Sequence, residues 1–186
     1  MRLLMTGCEY AGVTTLTKAI KEWAEAAMGG EIGDGHDHFK VPHLAHGELT
    51  SEEQDQILAL SPHLKEIFQR YNMEYHLQPS FFDAQHHVLI GMHIDEAVYA
   101  PIYYGYGAPG EYAARSDFAR HMETVLLGYA PDFIHVLVKA SPEVIAARMD
   151  TDPHQNPVVP MGDIEKILTR FEEEFEASTM TNKITI

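Results

Sequence analysis

The sequence predicts an α/β fold: a mostly parallel sheet between two helical layers, in a three-layer α/β/α arrangement made by one domain over residues 1–186. Three observations predict it. Short apolar runs of strand length recur at Arg2–Thr6, His87–Gly91 and Phe133–Val138. Segments with helical spacing separate them, and strands that alternate with helices pair in parallel. Ligands of such sheets gather at the carboxyl ends of the strands, which places Gly7, Gly91 and Ala140 around one crevice.

Bulk properties narrow the function. At 186 residues, 45% hydrophobic and 22% charged, the chain suits one sizeable core. No run reaches the roughly 18 apolar residues that a spanning helix needs, so no membrane partner is expected. Met1–Met5 carries one charge, then passes into Thr6-Gly7 rather than a small-residue cleavage site; this argues against a leader and for a cytoplasmic location. The single cysteine, Cys8, excludes an internal disulfide and cysteine-rich zinc sites. Thirteen Lys and Arg against 28 Asp and Glu give a net charge of −15. That surface repels polyanions, so nucleic acid is not an expected partner, while a local basic pocket for one nucleotide is compatible with it.

The elements follow in order. Arg2–Thr6 reads as a buried strand ending at Gly7. From Thr14 to Met28 the residues Leu16, Ala19, Ile20, Trp23, Ala26 and Ala27 recur at helical spacing, and Gly29-Gly30 stops the helix. Residues 31–47 read as loop, with a short strand near His38–Val41. Thr50-Ser51-Glu52-Glu53 is a capping signal for a helix toward Leu60, and Pro62 opens another through Tyr71. After the strand at His87–Gly91, Ile94–Tyr104 reads as helix with a break at Pro101. A Gly-, Pro- and Tyr-rich loop follows to Tyr112, and Ala113–Leu127 returns to helical period. After the strand at Phe133–Val138, Ser141-Pro142-Glu143 combines a capping serine, proline at the first position and an acid at the positive helix end. A proline-rich loop over 150–162 precedes a last helix with Ile164, Ile167, Leu168, Phe171 and Phe175 on one face. Ile184–Ile186 reads as an edge strand.

The chemistry concentrates in Gly7-Cys8-Glu9-Tyr10-Ala11-Gly12-Val13-Thr14-Thr15, between a predicted strand and a predicted helix. The phosphate-loop pattern G-x-x-x-x-G-K-[ST] has that context. Gly7, Gly12 and Thr14 match it. Gly7 permits the tight turn, Gly12 lets backbone approach phosphate, and the amides over Tyr10, Ala11, Gly12, Val13, Thr14 and Thr15 face an anion. Thr14 offers its hydroxyl to a magnesium ion. Val13 stands where the pattern has lysine, whose removal typically costs on the order of 3 kcal/mol of barrier. Lys18, one turn on, is the nearest replacement cation, with Arg115, Arg120 and Arg148 further away. The alternative is a glycine-rich strand–helix turn with no ligand.

With His87–Tyr99, Ala130–Val138 and Ser141–Met149, this loop resembles the P-loop nucleotide and nucleoside kinases, most closely the thymidylate-kinase-like group. The resemblance implies ATP and Mg²⁺ as cofactors, a small-molecule acceptor, a lid-like segment around 148–162, and a phosphate role for Arg148 at the start of that lid. It implies basic residues contacting substrate phosphate on the helix that carries Arg115 and Arg120, and acceptor contacts at Asp37 and His38 after the second strand. The group usually has aspartate-arginine after the strand where Gly91-Met92 stand here; Asp95 and Glu96, one turn on, are the substitutes. Each assignment has a bland counterpart: Asp95 and Glu96 as solvent-facing acids, Arg148 as a complement to its helix dipole, Arg115 and Arg120 as surface residues.

Two side-chain clusters remain. The histidines from His36 to His46, with neighbouring carboxylates, read either as a transition-metal site or as a polar loop. Tyr99, Tyr103, Tyr104 and Tyr106 read as a packed aromatic cluster or as a stacking surface for a substrate ring. Three functions follow: a phosphotransferase acting on a nucleoside or nucleotide, a nucleotide-binding protein with little turnover, and a metal-dependent enzyme. Helical faces such as 113–127 offer a surface for a homodimer.

Overall fold

The computed structural model describes residues 1–29, 32–34, 50–79, 86–154 and 157–186. Strands β1 (Arg2–Thr6), β2 (Gly33–Asp34), β3 (His87–Ile90), β4 (Ile134–Leu137) and β5 (Asn182–Thr185) form one sheet in the order β2-β3-β1-β4-β5. Every pairing is parallel, with Leu4 facing Leu89 on one side and His135 on the other. Consecutive residues of β1, from Leu3 to Thr6, are all buried. Since successive strand side chains point to opposite faces, both faces of the sheet are covered. The chain leaves β1 for β3 and β2 on one side, then crosses to β4 and β5 on the other. The reversal point lies at the carboxyl end of β1, where α/β sheets open a ligand crevice.

The helices are α1 (Val13–Met28), α2 (Ser51–Leu58), α3 (Pro62–Tyr75), α4 (Met92–Tyr99), α5 (Arg115–Tyr129), α6 (Pro142–Thr151) and α7 (Ile164–Ala177). Local chemistry sets several ends. Thr50 and Glu53 form a reciprocal capping box at α2, with Thr50 N–H donating to Glu53 at 2.8 Å. Ser141 accepts the Val144 amide at the start of α6, and Gly29 closes α1 in the left-handed region.

Four expectations change. Pro101 does not break the helix; α4 widens into a π-helical turn over Ala100–Tyr104, which absorbs the missing donor. Trp23, placed on the buried face of α1, is 59% exposed, because the covered side of that helix runs through Thr17 and Ala24. The apolar residues of α5, Ala119, Met122 and Leu126, are buried within the chain, so that face is not open to a second subunit. The edge strand begins at Asn182 rather than Ile184, because β5 pairs with β4 from Ile134 onward. The strand expected near His38–Val41 lies outside the described residues.

Candidate functional site

β1 ends at Thr6 and α1 begins at Val13, so the predicted phosphate loop spans the turn between them. Gly7 packs so tightly on the end of β4 that a Cβ there would meet the Val138 carbonyl oxygen at 2.5 Å. Tyr10 takes a positive φ of 66° and Gly12 one of 107°, which folds the loop back over the start of α1. The first amides of a helix have no partner within it, and Leu16 N–H is the first to bond back, to Gly12 O. The amides of Gly12, Val13, Thr14 and Thr15 therefore point out of the helix start into the loop. Ala11 N–H is spent on Cys8 O, and Glu9 N–H on the Tyr99 hydroxyl at 3.0 Å.

A cleft of about 620 Å³ opens over this loop, lined by Gly7 to Leu16 together with Ile90, Asp95, Tyr99, Val138, Arg148 and Asp152. Val13 lines it too, with Cγ2 at 3.0 Å from where a Gly7 Cβ would stand. An apolar branch thus occupies the place from which a lysine would reach outward. Cys8 is buried beneath the loop, and burial, then the charges of Glu9 and Asp95, push its thiol up to about 12. It stays protonated and is not a nucleophile at neutral pH.

Arg148 is the one Lys or Arg among the described residues that lines the cleft. Its Nη1 donates to Tyr10 O at 2.7 Å and Ala11 O at 2.9 Å, bracing the loop. Asp95 reaches the cleft from α4 by folding its carboxylate back over Gly91. Gly91 makes the strand-to-helix turn at φ 65° and ψ −74°, outside the regions that side-chain-bearing residues favour.

Other anticipated residues lie elsewhere. Lys18 is exposed on α1 and does not line the cleft, so it does not replace the lysine in this arrangement. Glu96, one residue beyond Asp95, turns away from the cleft. There it accepts from Tyr106 Oη at 2.5 Å and Arg115 Nε at 3.2 Å, and burial raises its pKa against the pull of Arg115. Arg115 is 1% exposed and also pairs with Glu66 at 3.2 Å; it is a core residue rather than a phosphate contact. Arg120 is engaged by Glu123 and Glu174 at 3.3 and 3.4 Å. Tyr99 is 1% exposed and lines the cleft, but as the hydroxyl that takes Glu9 N–H; packing against Phe171 occupies its ring. Thr14 and Thr15 are exposed at the helix start and line the cleft. Asp37, His38 and the His36–His46 segment lie outside the described residues.

Glu9, Asp152 and His154 belong to the same cleft and were not singled out from the sequence. Glu9 carries the one sequence signal: a carboxylate inside a predicted phosphate loop is electrostatically out of place unless something answers it.

No family model matches the sequence, and no curated protein matches it. Among solved structures, the deoxyadenosine kinase from M. mycoides with bound dATP aligns with a TM-score of 0.59 at 12% identity, over 100% of this chain and 90% of that one. The chain has a P-loop nucleoside kinase fold. The parallel sheet and the strand–loop–helix unit over β1 and α1 belong to that fold, and Val13 and Gly91-Met92 stand where the sequence resemblance implied lysine and aspartate-arginine. No described helix is long and apolar enough to cross a membrane.

Proposed function

We propose that this chain binds a nucleoside triphosphate with a divalent cation over residues 7–15 and transfers a phosphoryl group to a small hydroxyl-bearing acceptor of the nucleoside class. The observation that carries this reading is the set of outward amides at the start of α1, at the reversal point of a parallel sheet and open to a cleft of about 620 Å³. The structural likeness to a deoxyadenosine kinase supports the nucleoside class of acceptor.

The residues present fit a triphosphate and a cation. Without side chains on Gly7 and Gly12, backbone approaches the phosphates closely, and the helix start favours negative charge there. Thr14 and Asp95 would hold Mg²⁺, which when bound neutralises charge on the outer phosphates. Asp95 would also accept the acceptor's hydroxyl proton, and Arg148 braces the loop while lining the cleft. Tyr99 keeps the loop in register through Glu9 N–H. Asp37 and His38 remain the proposed acceptor-side residues. Catalysis of this kind is positioning plus electrostatics, so it does not require a protein nucleophile.

A second reading, nucleotide binding with little turnover, is favoured by Val13: the lysine position holds a hydrocarbon branch laid over Gly7. One experiment separates the two. Purified protein is given Mg-ATP with a panel of nucleosides and deoxynucleosides, and both ADP release and the melting temperature are followed. Acceptor-dependent ADP supports transfer. A higher melting temperature without ADP supports the second reading, and no response in either measurement contradicts both.

A further inference from the structure

Glu9 is the third residue of the phosphate loop, and phosphate binding gives a carboxylate there no role. Its side chain is only 4% exposed, and the segment after α6 holds it. Oε2 accepts the amides of Val158 at 2.8 Å and Val159 at 3.1 Å, while Oε1 lies 2.7 Å from His154 Nδ1. Tyr10, the next loop residue, holds the same segment. Its ring stacks on the His154 imidazole at 4.0 Å and 17°, and its hydroxyl accepts His154 N–H at 2.7 Å. The two middle residues of the phosphate loop thus grip the chain that follows Arg148.

We infer that Glu9 is a charge-gated clasp: docking of the chain around His154, Val158 and Val159 neutralises a carboxylate that otherwise opposes anion binding in the adjacent cradle. This rests on the nucleotide-binding reading above. When the segment is docked, two amides and an imidazole answer the Glu9 charge and hold it turned toward them. When the segment lifts, those three donors leave together, and a less compensated negative charge borders the amides meant for phosphate. Asp95 and Asp152, the other acids of the cleft, add to that repulsion, and Arg148 opposes it. Phosphate therefore favours the docked state, and by reciprocity a bound phosphate tightens the docking. The coupling needs no basic side chain of the segment to touch the nucleotide.

Amide hydrogen exchange at Val158 and Val159 in the full chain tests this, in the native protein and in Glu9→Gln, each with and without Mg-ATP. The native protein should protect both amides without nucleotide and protect them further with it. Glu9→Gln should exchange them about tenfold faster without nucleotide, as expected for losing charge-assisted bonds, and should gain no further protection from Mg-ATP. If Glu9→Gln does not fold, His154→Phe keeps the stack on Tyr10, removes Nδ1, and should show the same loss to a smaller extent. Unchanged protection in a folded variant overturns the clasp. Equal added protection from Mg-ATP in both proteins overturns the coupling. A native protein that does not bind Mg-ATP contradicts the function proposed above, and the coupling with it; faster exchange in Glu9→Gln would still be visible, so the two failures are told apart.

Discussion

The carboxylate of Asp95 folds over Gly91 so closely that a Cβ at Gly91 would meet its Oδ2 at 2.4 Å. This contact is how the cleft obtains an acid although none follows β3 directly. Gly91→Ala forces a side chain into a positive-φ turn and onto that carboxylate. It should destabilise the protein by about 1–3 kcal/mol and displace Asp95 from the cleft. Urea unfolding with the same midpoint as the native protein would contradict this.

Val13 lies over Gly7 in the place of a lysine. If charge at this position limits transfer, Val13→Lys should raise acceptor-dependent turnover, by up to roughly a hundredfold, the scale of one well-placed transition-state contact. Steady-state ADP release with saturating Mg-ATP measures it. Unchanged turnover in a folded variant would mean that another group already meets that charge.

Much of the fold was legible because local chemistry set it. The Thr50–Glu53 box, the Ser141-Pro142-Glu143 start and the Gly29 stop each act within a few residues, and the structure keeps all three. The glycine loop was legible for the same reason. What the sequence hid depends on distant partners. Asp95 and Glu96 are adjacent and chemically alike, yet one faces the cleft and the other a buried arginine, because α4 is buried all round. The burial of Arg115 depends on Glu66, which is 49 residues away. Glu9 meets Val158 across 149 residues, a pairing that no periodicity announces.

Arg115 tests the distinction between core and site. It is fully enclosed with Glu96 and Glu66, and its guanidinium lies 5.0 Å from the Tyr106 and Phe118 rings. Arg115→Met strands buried Glu96 without its cation and should cost about 3–5 kcal/mol. Adding Glu96→Gln should return part of that loss, because the uncompensated charge is gone. Chemical denaturation of both variants checks it; a stable single variant with weakened nucleotide binding would instead place Arg115 in the site.

A second buried cluster makes stability depend on pH. Burial, then the nearby His93, drive His135 down from 6.5 to about 3, so it is neutral in the fold beside Thr6 Oγ1 at 2.9 Å. Burial opposes the charge of Glu123, but His93 and the Thr179 amide outweigh it and hold Glu123 at about 2. Both folded values lie below the unfolded ones, so the unfolded chain binds more protons as pH falls. Stability should be full above pH 6.5, decline toward pH 3 as unfolded His135 takes up its proton, and fall further below pH 4.5 through Glu123. Each proton contributes a slope of up to about 1.4 kcal/mol per pH unit. Urea unfolding at several pH values measures this, and His135→Gln should flatten the step between pH 6.5 and 4.5.

The cradle itself is tested most directly by titrating Mg-ATP into ¹⁵N-labelled protein and following the backbone amides. Saturable shifts should centre on Gly12, Val13, Thr14 and Thr15 and be abolished in Gly12→Val, where a β-branched residue would have to adopt a φ of 107°. Amides of residues 8–15 that stay fixed at saturating Mg-ATP, or that move alike in folded Gly12→Val, would contradict it.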